Sequence, residues 1–128
     1  MQVLVDTHAL IWWWSNDERL PEGMRTLIES DNTVVYVSSA SALEIAIKVR
    51  IGQLPEMAQR IHEFNEGVRE DGFYHLFVRD DHSVRAGLLP GEHRDPFDRL
   101  IAAQALIEDL TVITRDREIA GLGCRTLW

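Results

Sequence analysis

The chain has 128 residues, 45% of them hydrophobic and 27% charged, and its 13 Lys+Arg against 21 Asp+Glu give a formal net charge of −8. That length and balance suit a single soluble domain spanning residues 1–128, and the acidity excludes a protein that grips nucleic acid through a broad basic surface. No apolar run approaches the roughly 20 residues of a membrane span, the start lacks a signal-peptide pattern, and Cys124 has no internal partner for a disulfide, so a cytoplasmic location is expected.

Gln2-Val3-Leu4-Val5 is a short apolar run ending at Asp6, which suits a strand covered on both faces. A helix is expected over Thr7–Trp14 and a second over Glu22–Ser30 after Leu20-Pro21. Within the first of these, Trp12, Trp13 and Trp14 are consecutive, and at about 100° per residue three large rings cannot all face one core. At least one therefore belongs at a rim or interface.

Thr33–Val37 is β-branched and reads as a second strand, followed by a helix from Ala40 to Ile51 with Leu43, Ile47 and Arg50 on one line and Gly52 closing it. Pro55 opens a helix that runs to about Glu70 and stops at Gly72. Phe73–Val78 is a third strand, and Asp80-Asp81 caps a short helix ending near Leu89-Pro90-Gly91. Asp95-Pro96 reads as an N-cap with proline at the first helical position, and Leu100-Ile101-Ala102-Ala103-Gln104-Ala105-Leu106-Ile107 is apolar almost all round, the mark of a buried central helix. Leu110–Thr114 forms a fourth strand, a short helical turn leads to Gly121, and Cys124–Trp128 forms a last strand with Cys124 as a core residue. Strands alternating with helices predict a three-layer α/β/α fold around a parallel sheet of four to five strands, with ligands at the carboxyl ends of the strands.

On that frame the acids gather. Asp6 ends the first strand, Glu44 lies in the helix after the second, Asp98 is in the first turn of the central helix, and Asp116 follows the fourth strand. Each has a bland role open to it. Asp6 can cap a helix, Ser41-x-x-Glu44 matches a capping box, Asp98 can complement the helix dipole and Asp116 can shape a turn. Capping alone does not require convergence on one edge. Gathered carboxylates repel unless a cation sits among them, and oxygen ligands favour Mg²⁺ or Mn²⁺. Such an ion equips a site for phosphodiester hydrolysis.

Around these acids stand further candidates for substrate contact or support: Thr7 and Ser39 as hydrogen-bonding neighbours of Asp6, Lys48 beside Glu44, and Arg94, Asp95, Arg99 and Arg115. Asp95 reads as a cap or supporting residue, Lys48 as an i,i+4 partner of Glu44, and His8 and His93 more as packing residues than as substrate contacts. A haloacid-dehalogenase-type phosphatase would need a second acid where His8 stands, and a phosphoacceptor receiver domain would need paired acids at the first strand's end and a late lysine.

Val5-Asp6-Thr7-His8-Ala9-Leu10, Ser41-x-x-Glu44-Ile45-x-x-Lys48, His93-Arg94-Asp95-Pro96-Phe97-Asp98-Arg99 and Thr114-Arg115-Asp116 together resemble the PIN domain, and more narrowly the VapC-type toxin ribonucleases of toxin–antitoxin modules. The resemblance covers essentially the whole chain and implies that Asp6, Glu44, Asp98 and Asp116 are the metal-binding catalytic acids. It further implies Mg²⁺-dependent (or Mn²⁺-dependent) RNA cleavage leaving 5′-phosphate and 3′-hydroxyl ends, a cognate antitoxin as partner and a homodimer. The alternative is a catalytically silent PIN fold serving only as an interaction module, against which the four acids argue.

Overall fold

The computed structural model describes residues 1–128. Five strands, β1 (Gln2–Val5), β2 (Val34–Ser38), β3 (Tyr74–Leu76), β4 (Thr111–Ile113) and β5 (Thr126–Leu127), form one sheet in the order β3-β2-β1-β4-β5. Every pairing is parallel, with Val3 opposite both Val35 of β2 and Thr111 of β4. The chain steps outward from β1 to β3, then returns across the sheet to β4, so the order reverses beside β1. Adjacent loops part at such a switch point and leave a crevice at the strands' carboxyl ends.

Seven helices cover the sheet: α1 (Thr7–Trp14), α2 (Glu22–Glu29), α3 (Ser39–Arg50), α4 (Phe64–Glu70), α5 (Asp80–Leu88), α6 (Pro96–Glu108) and α7 (Arg117–Ala120). Alternation along β1 divides the core. Val3 and Val5 pack with Leu10, Trp12, Ile28, Ile45 and Val68 on one face, whereas Leu4 packs with Ala86, Ile101, Ala105, Ile119 and Leu122 on the other. Both faces of β1 are thus buried, as its unbroken apolar run requires.

Helix α6 begins as its sequence prescribes. The Asp95 carboxylate accepts from the N–H groups of Phe97 (2.9 Å) and Asp98 (3.3 Å), and Pro96 occupies the first helical position. Three details depart from the sequence expectation, and α3 adds one that the sequence left open. The segment opened by Pro55 is not one helix: 3₁₀ turns at Pro55–Met57 and Arg60–Glu63 precede α4. Met57, Ile61, Phe64 and Val68 still pack onto one core face, and the Phe64 ring meets Trp14 edge-on at 5.3 Å, so packing around Trp14 overrides regular helical bonding. In α3 the buried residues are Ala40, Ser41, Glu44 and Ile45, and Leu43 is 57% exposed. This helix starts directly after β2, capped by the Ser38 hydroxyl on the Ala40 N–H (3.0 Å), and that junction sets its rotation. Asp80 and Asp81 lie inside α5 rather than capping it, while the Nδ1 of buried His82 accepts from the Arg79 N–H (3.0 Å). Cys124 is buried but precedes β5, its thiol donating to the Ile119 carbonyl at 3.5 Å.

Candidate functional site

Asp6 and Asp116, at the carboxyl ends of β1 and β4, line one cleft, and Glu44 of α3 and Asp98 at the start of α6 lie near enough for their charges to act on Asp6. Asp6 is the N-cap of α1 and is buried, only 3% exposed. Its Oδ1 accepts from the Ala9 N–H at 2.8 Å and its Oδ2 from the Thr114 hydroxyl at 2.5 Å. That same hydroxyl oxygen accepts from the Asp116 N–H (2.9 Å), so Thr114 links the two acids through one atom. Asp116 caps α7, accepting from the Glu118 N–H at 2.8 Å.

Glu44 is the informative member. It is not in a capping box: α3 is capped by Ser38, and the Ser41 hydroxyl pairs with that of Thr7 (2.9 Å). Glu44 is 5% exposed, its Oε2 lies 3.0 Å from the Lys48 ammonium, and its Oε1 is buried without any hydrogen-bond partner. An unpaired carboxylate oxygen in such a place costs several kcal/mol unless a cation or donor meets it.

Electrostatics give the same picture. Burial raises the Asp6 carboxyl from 3.8 to about 6, opposed by the bonds from Thr114 and Ala9 and reinforced by the charges of Asp98 and Glu44. Asp98 is likewise raised to about 6, first by burial, against the hydrogen bond from His93, and further by Asp95, Asp116 and Glu44. Glu44 and Asp98 thus act on Asp6, and Asp116 and Glu44 act on Asp98. A set of carboxylates with an orphaned buried oxygen fits a hard divalent cation.

Sequence reasoning underrated one participant and passed over two. His93 is no packing residue: its Nε2 lies 2.8 Å from Asp98 Oδ2 and its Nδ1 2.7 Å from Glu118 Oε2. One ligand atom each from His93, Asp98 and Asp116 lie within 4.8 Å of one another. Thr114 and Glu118 are the others. A threonine two residues before a helix-capping aspartate was a readable signal for the first, whereas the His93–Glu118 contact joins the loop before α6 to α7 and left no local trace.

The remaining candidates divide. Thr7 ties α1 to α3 through Ser41, and the Ser39 hydroxyl accepts from the Val78 N–H (3.0 Å), so neither supports Asp6. Arg99 donates to the carbonyls of Ala86, His93 and Leu89 and thereby holds the loop before α6, which leaves little of its guanidinium for a substrate. Lys48 pairs with Glu44. Arg94 is exposed beside a cleft of about 710 Å³ lined also by Glu92, His93 and Arg99. Arg115 lies over the Trp12 ring at 4.6 Å and joins Asp6, His8, Trp12, Asp116 and Arg117 around a cleft of about 360 Å³. Trp12 is buried, while Trp13 and Trp14 are half-buried at the rim, both indole N–H groups donating to Asp71 Oδ2 (3.1 and 2.8 Å).

A family model described as the PIN domain matches residues 3–123. No curated protein of similar sequence matches the chain. Among solved structures the chain is similar to VapBC2 from Rickettsia felis bound to a DNA fragment from their promoter, with 16% identity over 99% of this chain and 98% of that one and a TM-score of 0.72. It is similar to FitAcB from Neisseria gonorrhoeae, with 23% identity over 100% and 97% of the two chains and a TM-score of 0.71. A third likeness is to FitAB bound to an IR36 DNA fragment, with 19% identity over 99% and 94% and a TM-score of 0.70. At these identities the likenesses establish the fold: a parallel sheet between helical layers, shared from end to end.

Proposed function

The chain belongs to the PIN domain family, and from that membership we propose that residues 1–128 act as one metal-dependent endoribonuclease domain, the toxin of a toxin–antitoxin pair. The observation that carries this reading is Glu44, whose Oε1 is buried without a partner while its charge acts on both Asp6 and Asp98. Asp6, Glu44, Asp98 and Asp116 would hold Mg²⁺ or Mn²⁺. The bound ion supplies Lewis acidity, stabilising charge on phosphate oxygens and rendering water a better nucleophile.

The chain's own groups do the rest. Thr114 fixes the rotamer of Asp6 and orients Asp116, so two ligands are set by one hydroxyl. Lys48 offsets part of the negative charge on Glu44. Exposed Arg115 and Arg117 stand beside Asp6 and Asp116 and are available to phosphates of a strand lying in that cleft. With a net charge of −8, affinity for RNA rests on these few local cations, which favours an accessible single-stranded loop over duplex.

The toxin assignment draws on the solved VapBC2 and FitAB assemblies on DNA, whose folds this chain shares. A cognate antitoxin and a second copy of the chain are its expected partners and the cytoplasm its place of action. Exposed Tyr74, Phe77, Val84 and Leu88 offer apolar surface for such contacts, and no helix is long and apolar enough to cross a membrane.

The test is to incubate the protein with total cellular RNA, with Mg²⁺ or with EDTA, and sequence the new ends. New ends bearing 5′-phosphate and 3′-hydroxyl groups, absent in EDTA and with Asp98→Asn, are expected. Cyclic 2′,3′-phosphate ends, or cutting that persists in EDTA, would refute the mechanism.

A further inference from the structure

His93 stands outside the four-carboxylate set, yet its surroundings are those of a metal ligand. It lies in the loop between α5 and α6, and its side chain is 18% exposed. Its Nδ1 is 2.7 Å from Glu118 Oε2, and its Nε2 faces Asp98 at 2.8 Å. A histidine that binds a metal commonly donates its second ring N–H to a carboxylate, which fixes the tautomer and aims the other nitrogen at the ion. Glu118 is within reach for that duty: Asp116 Oδ1 accepts from its backbone N–H (2.8 Å) and so fixes the start of α7, from which the largely exposed Glu118 side chain reaches His93. The ligand atoms of His93, Asp98 and Asp116 all lie within 4.8 Å of one another, and Glu44, whose Oε1 is buried without a partner, is near enough for its charge to act on Asp98.

We propose that His93 Nε2 is a direct ligand of the divalent ion, with Glu118 as the carboxylate that orients it. The inference rests on the metal-site reading above. On binding, Nε2 exchanges its contact with Asp98 for the ion while Nδ1–H stays on Glu118, and any proton carried by Nε2 leaves to solvent. A nitrogen donor among carboxylates makes the site less suited to Mg²⁺ and better suited to Mn²⁺, since imidazole favours transition metals and Mg²⁺ prefers all-oxygen coordination.

Pulsed electron paramagnetic resonance of Mn²⁺ added to the metal-free full-length protein reads this directly, because an imidazole ligand imposes a ¹⁴N coupling. The coupling should change on labelling the protein with ¹⁵N-histidine, which needs no variant. It should vanish in His93→Gln and remain in His8→Gln, a histidine that lines the cleft of Asp6 and Asp116. Glu118→Gln should weaken Mn²⁺ binding by about tenfold or more, with Mg²⁺ binding changed less. If Mn²⁺ binds with an oxygen-only spectrum and is weakened by Asp98→Asn, the acids hold the ion without His93 and this proposal alone falls. A ¹⁴N coupling that survives in His93→Gln overturns it as well. Absence of any Mn²⁺ binding would overturn both this proposal and the metal-site reading.

Discussion

Raising the pH of the metal-free protein from about 5 to about 7.5 should destabilise it, and Asp6 sets most of the loss. Its carboxyl titrates near 3.8 when unfolded and, through burial, at about 6 when folded. Between those values the folded chain holds more protons than the unfolded one, so stability falls as pH rises. A rise from 3.8 to about 6 is worth about 3 kcal/mol in total, of which roughly half, about 1.5 kcal/mol, is lost between pH 5 and pH 7.5. Asp98, also raised to about 6, acts in the same direction but by less, because solvent screens it. His93 is raised from 6.5, chiefly by its hydrogen bond to Asp98. Its stabilisation is complete below 6.5 and disappears as pH climbs through the folded value, again the same sign. His8, lowered from 6.5 chiefly by burial, works the other way, its cost fading as pH rises through 6.5, and offsets part of this loss. Asp17, Asp81 and Glu108 are lowered by hydrogen bonds from Arg19 and Arg79, and their stabilisation, lost towards acid, is mostly present by pH 5. For a chain of this size a loss of about 1.5 kcal/mol corresponds to a fall in Tm of about 5 °C. Thermal unfolding followed by circular dichroism in EDTA measures it. Mn²⁺ at ten times its Kd should return about 1.4 kcal/mol at pH 7.5, and Asp6→Asn should flatten the pH profile. A pH profile in EDTA that Asp6→Asn leaves unchanged would refute the argument that Asp6 is ionised against its surroundings.

Two substitutions probe how the crevice is held. Thr114→Val removes the donor to Asp6 and the acceptor for the Asp116 N–H, and should cost about 1–2 kcal/mol at neutral pH and raise Asp6 further, with Thr114→Ser restoring both; urea unfolding against pH checks this. Arg99→Lys keeps the charge but cannot reach the carbonyls of Ala86, Leu89 and His93 together, so a loss of about 2–4 kcal/mol and faster proteolysis in the loop before α6 are expected.

Much of this architecture was legible because local chemistry and tertiary placement agree. Helix α1 and strand β1 meet at Asp6, which ends one apolar run and caps the next element, and Asp95-Pro96 marks the start of α6 without help from the rest of the chain. What escaped depends on contacts distant in sequence. Leu43 faces outward because the β2–α3 junction sets the helix rotation, which no periodicity within α3 reveals. The Pro55–Glu70 segment has helical spacing, yet it tightens into 3₁₀ turns around Trp14. Arg99 sits one residue from Asp98 and reads as a substrate contact, but three backbone carbonyls claim it. Asp6, Asp98 and Asp116 could be placed from strand and helix ends alone, whereas the His93–Glu118 link needed the loop before α6 to meet α7.

The central claim is that Asp6, Glu44, Asp98 and Asp116 act as one metal-dependent cleavage site. Single-turnover cleavage of one RNA substrate in Mn²⁺ tests it, using Asp6→Asn, Glu44→Gln, Asp98→Asn, Asp116→Asn and the quadruple variant, each verified as folded by circular dichroism. Groups that share one ion act as a unit, so every single variant should fall to within about tenfold of the quadruple one. A folded single variant that cuts at the wild-type rate, or four losses that simply multiply to give the quadruple value, would contradict it.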